Sequence, residues 1–238
     1  MAEQPSLFDL GKLNPHQFEP VGVAREGASA YTHGHYDASG LENVAADRFR
    51  GYGIQNAYRA AQTQPENPGI RRSYQAMKGH VNRQYDFMTK PKEEGGLGIQ
   101  HEVVNEDPYS ATDASGAQKM AADVGAGRIR TLSTAATGSH NFFSDQEIDK
   151  FRAVHDFFGH AATGRGFDAH GEEAAYLSHR QMFPKKAWPA LTSETRGQNS
   201  YLNYGPGGLR GPDASFPEQG NKLIGLPAAA ARVKRARP

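Results

Sequence analysis

Between Ile70 and Thr89 the residues Tyr74, Met77, Val81, Tyr85 and Met88 recur at intervals of three and four. That spacing puts five large apolar side chains on one face of an α-helix. A stripe of this size has to be buried against other elements, which commits the chain to a packed helical core. Helices are also read at 43–64, ended by ENPG at 66–69, and at 113–124. Ser144 with Glu147 is a capping-box pair, and Phe151, Val154, His155 and Phe158 follow it at helical spacing. Two more helices are read at 171–183 and 188–204, with Pro184 and Pro189 around the break between them. The short β-branched or alternating runs at 98–104 and 128–134 predict a small sheet, so the fold class is mainly α, or α+β with that small sheet.

Among 238 residues, 27 glycines and 14 prolines imply long loops. Residues 1–42, rich in turn formers as in EGASAYTHGHYDASG, read as a long extended amino-terminal arm. Residues 43–226 read as a single helical domain, loop-rich after Gly205, and 227–238 as a basic tail. The formal net charge is +1, and Arg232, Lys234, Arg235 and Arg237 of that tail supply four of the 27 basic residues against 26 acids. The body is therefore mildly acidic and no nucleic-acid surface by charge alone, whereas the tail can add weak, salt-sensitive attraction to phosphate. No apolar run is long enough to span a bilayer, and MAEQPSLFDLGK lacks the pattern of a signal peptide, so a cytoplasmic protein with no membrane partner is expected.

The chain has no cysteine, which leaves imidazole and carboxylate as its strong metal ligands. Five of its ten histidines lie between 140 and 179, two of them in HDFFGH at 155–160. On a regular α-helix positions five apart differ by about 140° and rise about 7.5 Å. If Gly159 loosens the helix just before the second histidine, His155 and His160 can meet at one ion, with a carboxylate from another helix completing a face. Glu194, in a run of small and polar residues that makes a poor apolar face, is the first choice for that carboxylate. Glu172 and Glu173 compete with it, while Asp156 points about 100° away from His155 on a regular helix. Two histidines and one carboxylate leave open positions, the arrangement of non-haem Fe(II) oxygenases. The same face also occurs in zinc hydrolases, where Glu173 or Asp156 would serve as general base. Arg196, Gln198 and Asn199, within a turn of Glu194, are candidates to fix a substrate carboxylate, phosphate or base edge. His170 and His179 are candidate orienting donors, although a solvated helix face is the expected place of His179; His33 and His35 are a weaker pair in YTHGHYD, and Tyr201 and Tyr204 candidate pocket or core aromatics.

HDFFGH, GFDAHGEEAAYL and ALTSETRGQNSYLNYG together resemble the iron-binding core of the biopterin-dependent aromatic amino acid hydroxylases, over residues 151–205. The resemblance implies Fe(II) held by His155, His160 and Glu194 and an oxygenase or hydroxylase activity. It departs from that family at Asp156, where the family has Glu, and at Ala162, where it has Pro, and it does not extend to the pterin-stacking region, so a pterin is not carried over. The stretch HDFFGHAATGRGFDAHGEEAAYLSH is also similar to uncharacterised proteins of phages that infect actinobacteria.

Gln4-Pro5-Ser6-Leu7-Phe8 resembles the peptide with which bacterial replication and repair proteins grip the sliding clamp. Joined to the metal motif, it implies an enzyme acting on nucleic acid or a nucleotide in a phage or bacterial cell. A reading of a different class is a non-catalytic phage accessory protein that binds clamp, DNA or virion partners through its two termini.

Overall fold

The amphipathic helix read at 70–89 is the longest element among the described residues, α3 (Pro68–Thr89), with Tyr74, Met77, Val81 and Met88 of its stripe buried and Tyr85 partly so. Asn67 caps it by accepting from the Gly69 and Ile70 amides, with Pro68 at the first helical position, where its missing N–H costs nothing. The computed structural model describes residues 16–61, 66–110, 114–136 and 140–205. Within them α1 (Gly22–Tyr31), α3, α4 (Ala114–Gly125), α5 (Asp145–His155), α6 (Ala169–Arg180) and α7 (Trp188–Thr192) pack around one main core, while α2 (Arg48–Ala60) and α8 (Gln198–Tyr204) pack on each other, Ile54 and Tyr58 forming a small cluster with Tyr201. The fold is mainly α with one small sheet, as expected. That sheet pairs β1 (Gln100–Val104) with β2 (Arg128–Leu132) in parallel, Gln100 opposite Arg128 and Val104 opposite Leu132, with α4 as the crossover.

The expected capping box is present at α5: the Ser144 side chain accepts from the Glu147 amide, and Glu147 accepts from the Ser144 amide. Met77, Val81 and Met88 of α3 share the core with Val154, Phe157 and Phe158 of α5 and its continuation and with Leu191 of α7, so α3 is the spine against which the histidine-bearing helix lies.

The reading of 1–42 as an extended arm is corrected over residues 22–31, which form α1 and bury Ala24, Gly27 and Ala28. The stripe is built of small residues that let the helix come close: a Cβ on Gly27 would stand 2.5 Å from Leu97 Cδ1. Residues 16–25 also close the end of the histidine helix. Phe18 N donates to Gly164 O and Val21 N to Ala161 O, both at 2.9 Å, and Arg25 Nε donates to Ala162 O at 3.1 Å. Carbonyls at a helix end need such donors, and this segment supplies them from far away in sequence. The clamp-like peptide Gln4–Phe8, the loop region after Gly205 and the basic tail lie outside the described residues. No helix among the described residues is long and apolar enough to cross a membrane.

Candidate metal centre

The helix that begins at Ser144 changes its winding at the motif. Over Asp156–Ala161 it forms a π turn. Hydrogen bonds in a π turn run between residues five apart, which brings such residues to one face instead of about 140° apart. His155 at the edge of the turn and His160 within it therefore turn to the same side, their ring centroids 5.2 Å apart. Gly159 has a packing reason: a Cβ there would lie 3.0 Å from Ala175 Cβ, so the glycine lets α6 lie close. At the start of α6, Asp168 accepts from the His170 and Gly171 amides, and Gly171 abuts the Gly166 carbonyl at a distance no Cβ could share. These constraints set the first turn of α6, and with it Glu172, opposite the two imidazoles.

Glu172 Oε2 lies 3.5 Å from His160 Nε2 and 3.9 Å from His155 Nε2. One ligand atom from each of the three residues lies within 4.8 Å of the others. Donor atoms held about 2.1 Å from a tetrahedral ion stand about 3.4 Å apart, so the triangle closes on an ion with a small inward movement of side chains. The side chains are largely withdrawn from water, His160 at 1% exposure, Glu172 at 11% and His155 at 12%.

His160 has a fixed proton pattern. Its Nδ1 is 2.9 Å from the Arg165 carbonyl, which can only accept, so Nδ1 carries the hydrogen and Nε2 faces Glu172. Burial alone would push this histidine down; the charges of Glu172 and Asp156 and the bonds to Glu172 and Arg165 outweigh it and hold its pKa above the ordinary value. Nitrogen lone pairs facing a carboxylate repel unless a cation lies among them, a need met by a proton on His160 or by a metal ion. Asp156 is beside the cluster, and burial raises its carboxyl pKa against the opposing pull of His160 and His155.

The carboxylate of this cluster is Glu172, one of the competing acids, and not the first choice Glu194. Glu194 sits in a second π turn, Ser193–Gly197, and lines the same pocket, but its oxygens are engaged by other donors. The Tyr74 hydroxyl donates to Oε1, Gln198 Nε2 donates to Oε2 at 2.6 Å, and His140 Nε2 lies 3.2 Å from Oε1. His140 Nδ1 accepts from the Phe142 and Phe143 amides, so its hydrogen is on Nε2 and it too donates to Glu194. Three donors on one buried carboxylate satisfy it without a metal.

Glu173 and Arg196, read as general base and substrate clamp, bind each other instead. Arg196 Nε donates to Glu173 Oε2 at 2.8 Å and Nη2 donates to Oε1, with the guanidinium 2% exposed and stacked 4.3 Å over the Tyr176 ring. Asn199 donates to Glu172 Oε2 at 2.5 Å, so this amide orients the cluster's carboxylate. Asp156 lines the pocket beside the ligands. His170 Nδ1 accepts from the Ala46 amide and His33 and His35 are exposed, whereas His179, expected on a solvated face, is fully buried. Tyr201, partly buried, packs near Tyr58, and Tyr204, partly buried against the exposed Tyr52, lines a separate cleft with Glu173 and Arg196.

The cluster opens into a cavity of about 270 Å³. Ile148, Phe151 and Phe167 give it an apolar wall, and Arg152, Gln198 and Asn199 add polar groups around the ligands. Compared with protein-family models, with curated proteins and with solved structures, the chain finds no match in any of the three. The functional reading therefore rests on the chemistry of the site.

Proposed function

We propose that the protein is a metal-dependent enzyme of the non-haem Fe(II) oxygenase or hydroxylase type, its ion held by His155 Nε2, His160 Nε2 and the Glu172 carboxylate. The observation that carries this reading is the convergence of those three donors on the lining of one pocket; an ion held by them would keep positions for further ligands. When bound, Fe(II) would supply oxygen-activating chemistry there. The chain's own contribution is to orient the donors through Arg165 O and Asn199, and to present an apolar wall to an organic substrate. Glu194, held by Tyr74, His140 and Gln198, supplies a fixed negative charge on the pocket wall.

Asp156 favours a second reading, a zinc hydrolase. It is a carboxyl with a raised pKa beside the ligands, suited to hold or take a proton near a bound water. Anaerobic titration with Fe(II) and with Zn(II), followed by oxygen-uptake and ester-hydrolysis assays, separates the two. One equivalent of tightly bound Fe(II) with oxygen uptake supports the oxygenase, Zn(II)-dependent hydrolysis supports the alternative, and absence of binding by either ion removes both. A nucleic-acid or nucleotide substrate in a phage or bacterial setting, and a sliding-clamp contact through Gln4–Phe8, belong to the same proposal; loss of clamp binding on Leu7→Ala with Phe8→Ala tests the contact.

A further inference from the structure

His155 takes its proton pattern from a chain of groups that ends outside the pocket. Gln84, in the body of α3 and fully buried, donates from Nε2 to the Met182 carbonyl at 3.2 Å. That bond orients the amide, so Gln84 Oε1 faces His179 Nε2 at 2.7 Å. An amide oxygen only accepts, which places the hydrogen of His179 on Nε2 and leaves its Nδ1 with a lone pair. His155 Nδ1 lies 3.3 Å from that lone pair and must donate to it. A neutral His155 with its hydrogen on Nδ1 has its lone pair on Nε2, the atom that faces Glu172.

We infer that Gln84 and His179 are positioning residues that lock His155 in the one neutral form able to bind a metal through Nε2. Reversing the amide shows what depends on it. With Nε2 of Gln84 toward His179, the histidine would accept there and donate from Nδ1, and His155 would be left with its hydrogen on Nε2, blocking coordination. The amide oxygen would also face the Met182 carbonyl, acceptor against acceptor, so the correct orientation is enforced at the far end of the chain. His179 is 0% exposed and ringed by Phe151, Phe158 and Phe183, surroundings that favour the neutral ring with one donor and one acceptor. Orienting partners of ligand histidines commonly change metal affinity about 10–100-fold when removed. The inference rests on the reading that the cluster binds a metal, but the proton pattern is measurable without one.

Two-bond nitrogen–proton spectra of the metal-free, ¹⁵N-histidine-labelled full-length chain, in mildly alkaline buffer, report which ring nitrogen is protonated. Hydrogen on Nδ1 of His155 and on Nε2 of His179 is expected; hydrogen on Nε2 of His155 overturns the inference. Co(II) is then titrated into wild type, Gln84→Met and Gln84→Glu, with near-ultraviolet circular dichroism checking the fold. Gln84→Met, similar in shape but without the acceptor, is expected to bind Co(II) about 10–100-fold more weakly and to show mixed forms of His155. Gln84→Glu keeps an acceptor toward His179 but sets a carboxylate oxygen against the Met182 carbonyl, and is expected to weaken Co(II) binding as well. Unchanged affinity in Gln84→Met beside a wild type that binds Co(II) overturns the positioning role. A wild type that binds no Co(II) while showing the expected proton pattern overturns the metal reading and leaves the hydrogen-bond chain standing.

Discussion

At the scale of single residues, the site is built from side chains that each have one job. Glu173 and Arg196 form a buried ion pair that ties α6 to the second π turn, and such a pair is costly to break from one side. Arg196→Met is therefore expected to lower the stability of the chain by about 3–5 kcal/mol in urea unfolding, and adding Glu173→Met to recover much of that loss, because the double variant no longer buries a lone charge. Gly159 tests the close approach: Gly159→Ala puts a Cβ 3.0 Å from Ala175 Cβ and should cost about 1–3 kcal/mol while weakening Zn(II) binding, read by calorimetry. Residue identity alone could nominate His155, His160 and a set of acids. It could not choose among the acids, because Glu194 is claimed by Tyr74 and His140, 120 and 54 positions away, and sequence carries no trace of such partners. Gln84 and Asn199 have no motif of their own; the crowding of five histidines between 140 and 179 was the only available sign of an orienting histidine.

At the scale of elements, the spine helix α3, the Ser144 capping box and the two short strands were legible because their signals are local: apolar spacing, a capping pair and β-branched runs. The π turns were not, because periodicity arguments assume regular winding, and the spacing of five between two histidines was the one hint that winding changes there. Helix α1 escaped because its buried face is Ala24, Gly27 and Ala28, residues too small to make an apolar stripe. The joint between α4 and β2 makes a pH prediction. Burial pushes the Asp123 carboxyl up, but hydrogen bonds from Arg128, Arg130 and Tyr109 more than reverse this, and its pKa lies below the ordinary 3.8. Above 3.8 the carboxylate is charged in folded and unfolded chains alike and its contribution is whole; as pH falls below 3.8 the unfolded chain takes up the proton first and the contribution drains away. Denaturant unfolding at neutral pH and on the acid side of that value should show a steeper loss for wild type than for Asp123→Asn.

At the scale of the whole molecule, the histidine helix is enclosed from both sides, by α3 along its length and by residues 16–25 at its end. Deleting residues 1–42 should therefore broaden or abolish the cooperative thermal transition, whereas a dispensable arm would leave it unchanged. The same enclosure holds donors from the histidine helix and from α6 at one point, and on that convergence every functional statement depends. Anomalous diffraction from crystals loaded with Fe(II) or Co(II) tests it most directly. A single peak within about 2.0–2.2 Å of His155 Nε2, His160 Nε2 and a Glu172 oxygen is the expected result. A peak bound by Glu194 with Glu172 left free, or no peak at the cluster in crystals that carry metal elsewhere, would contradict it.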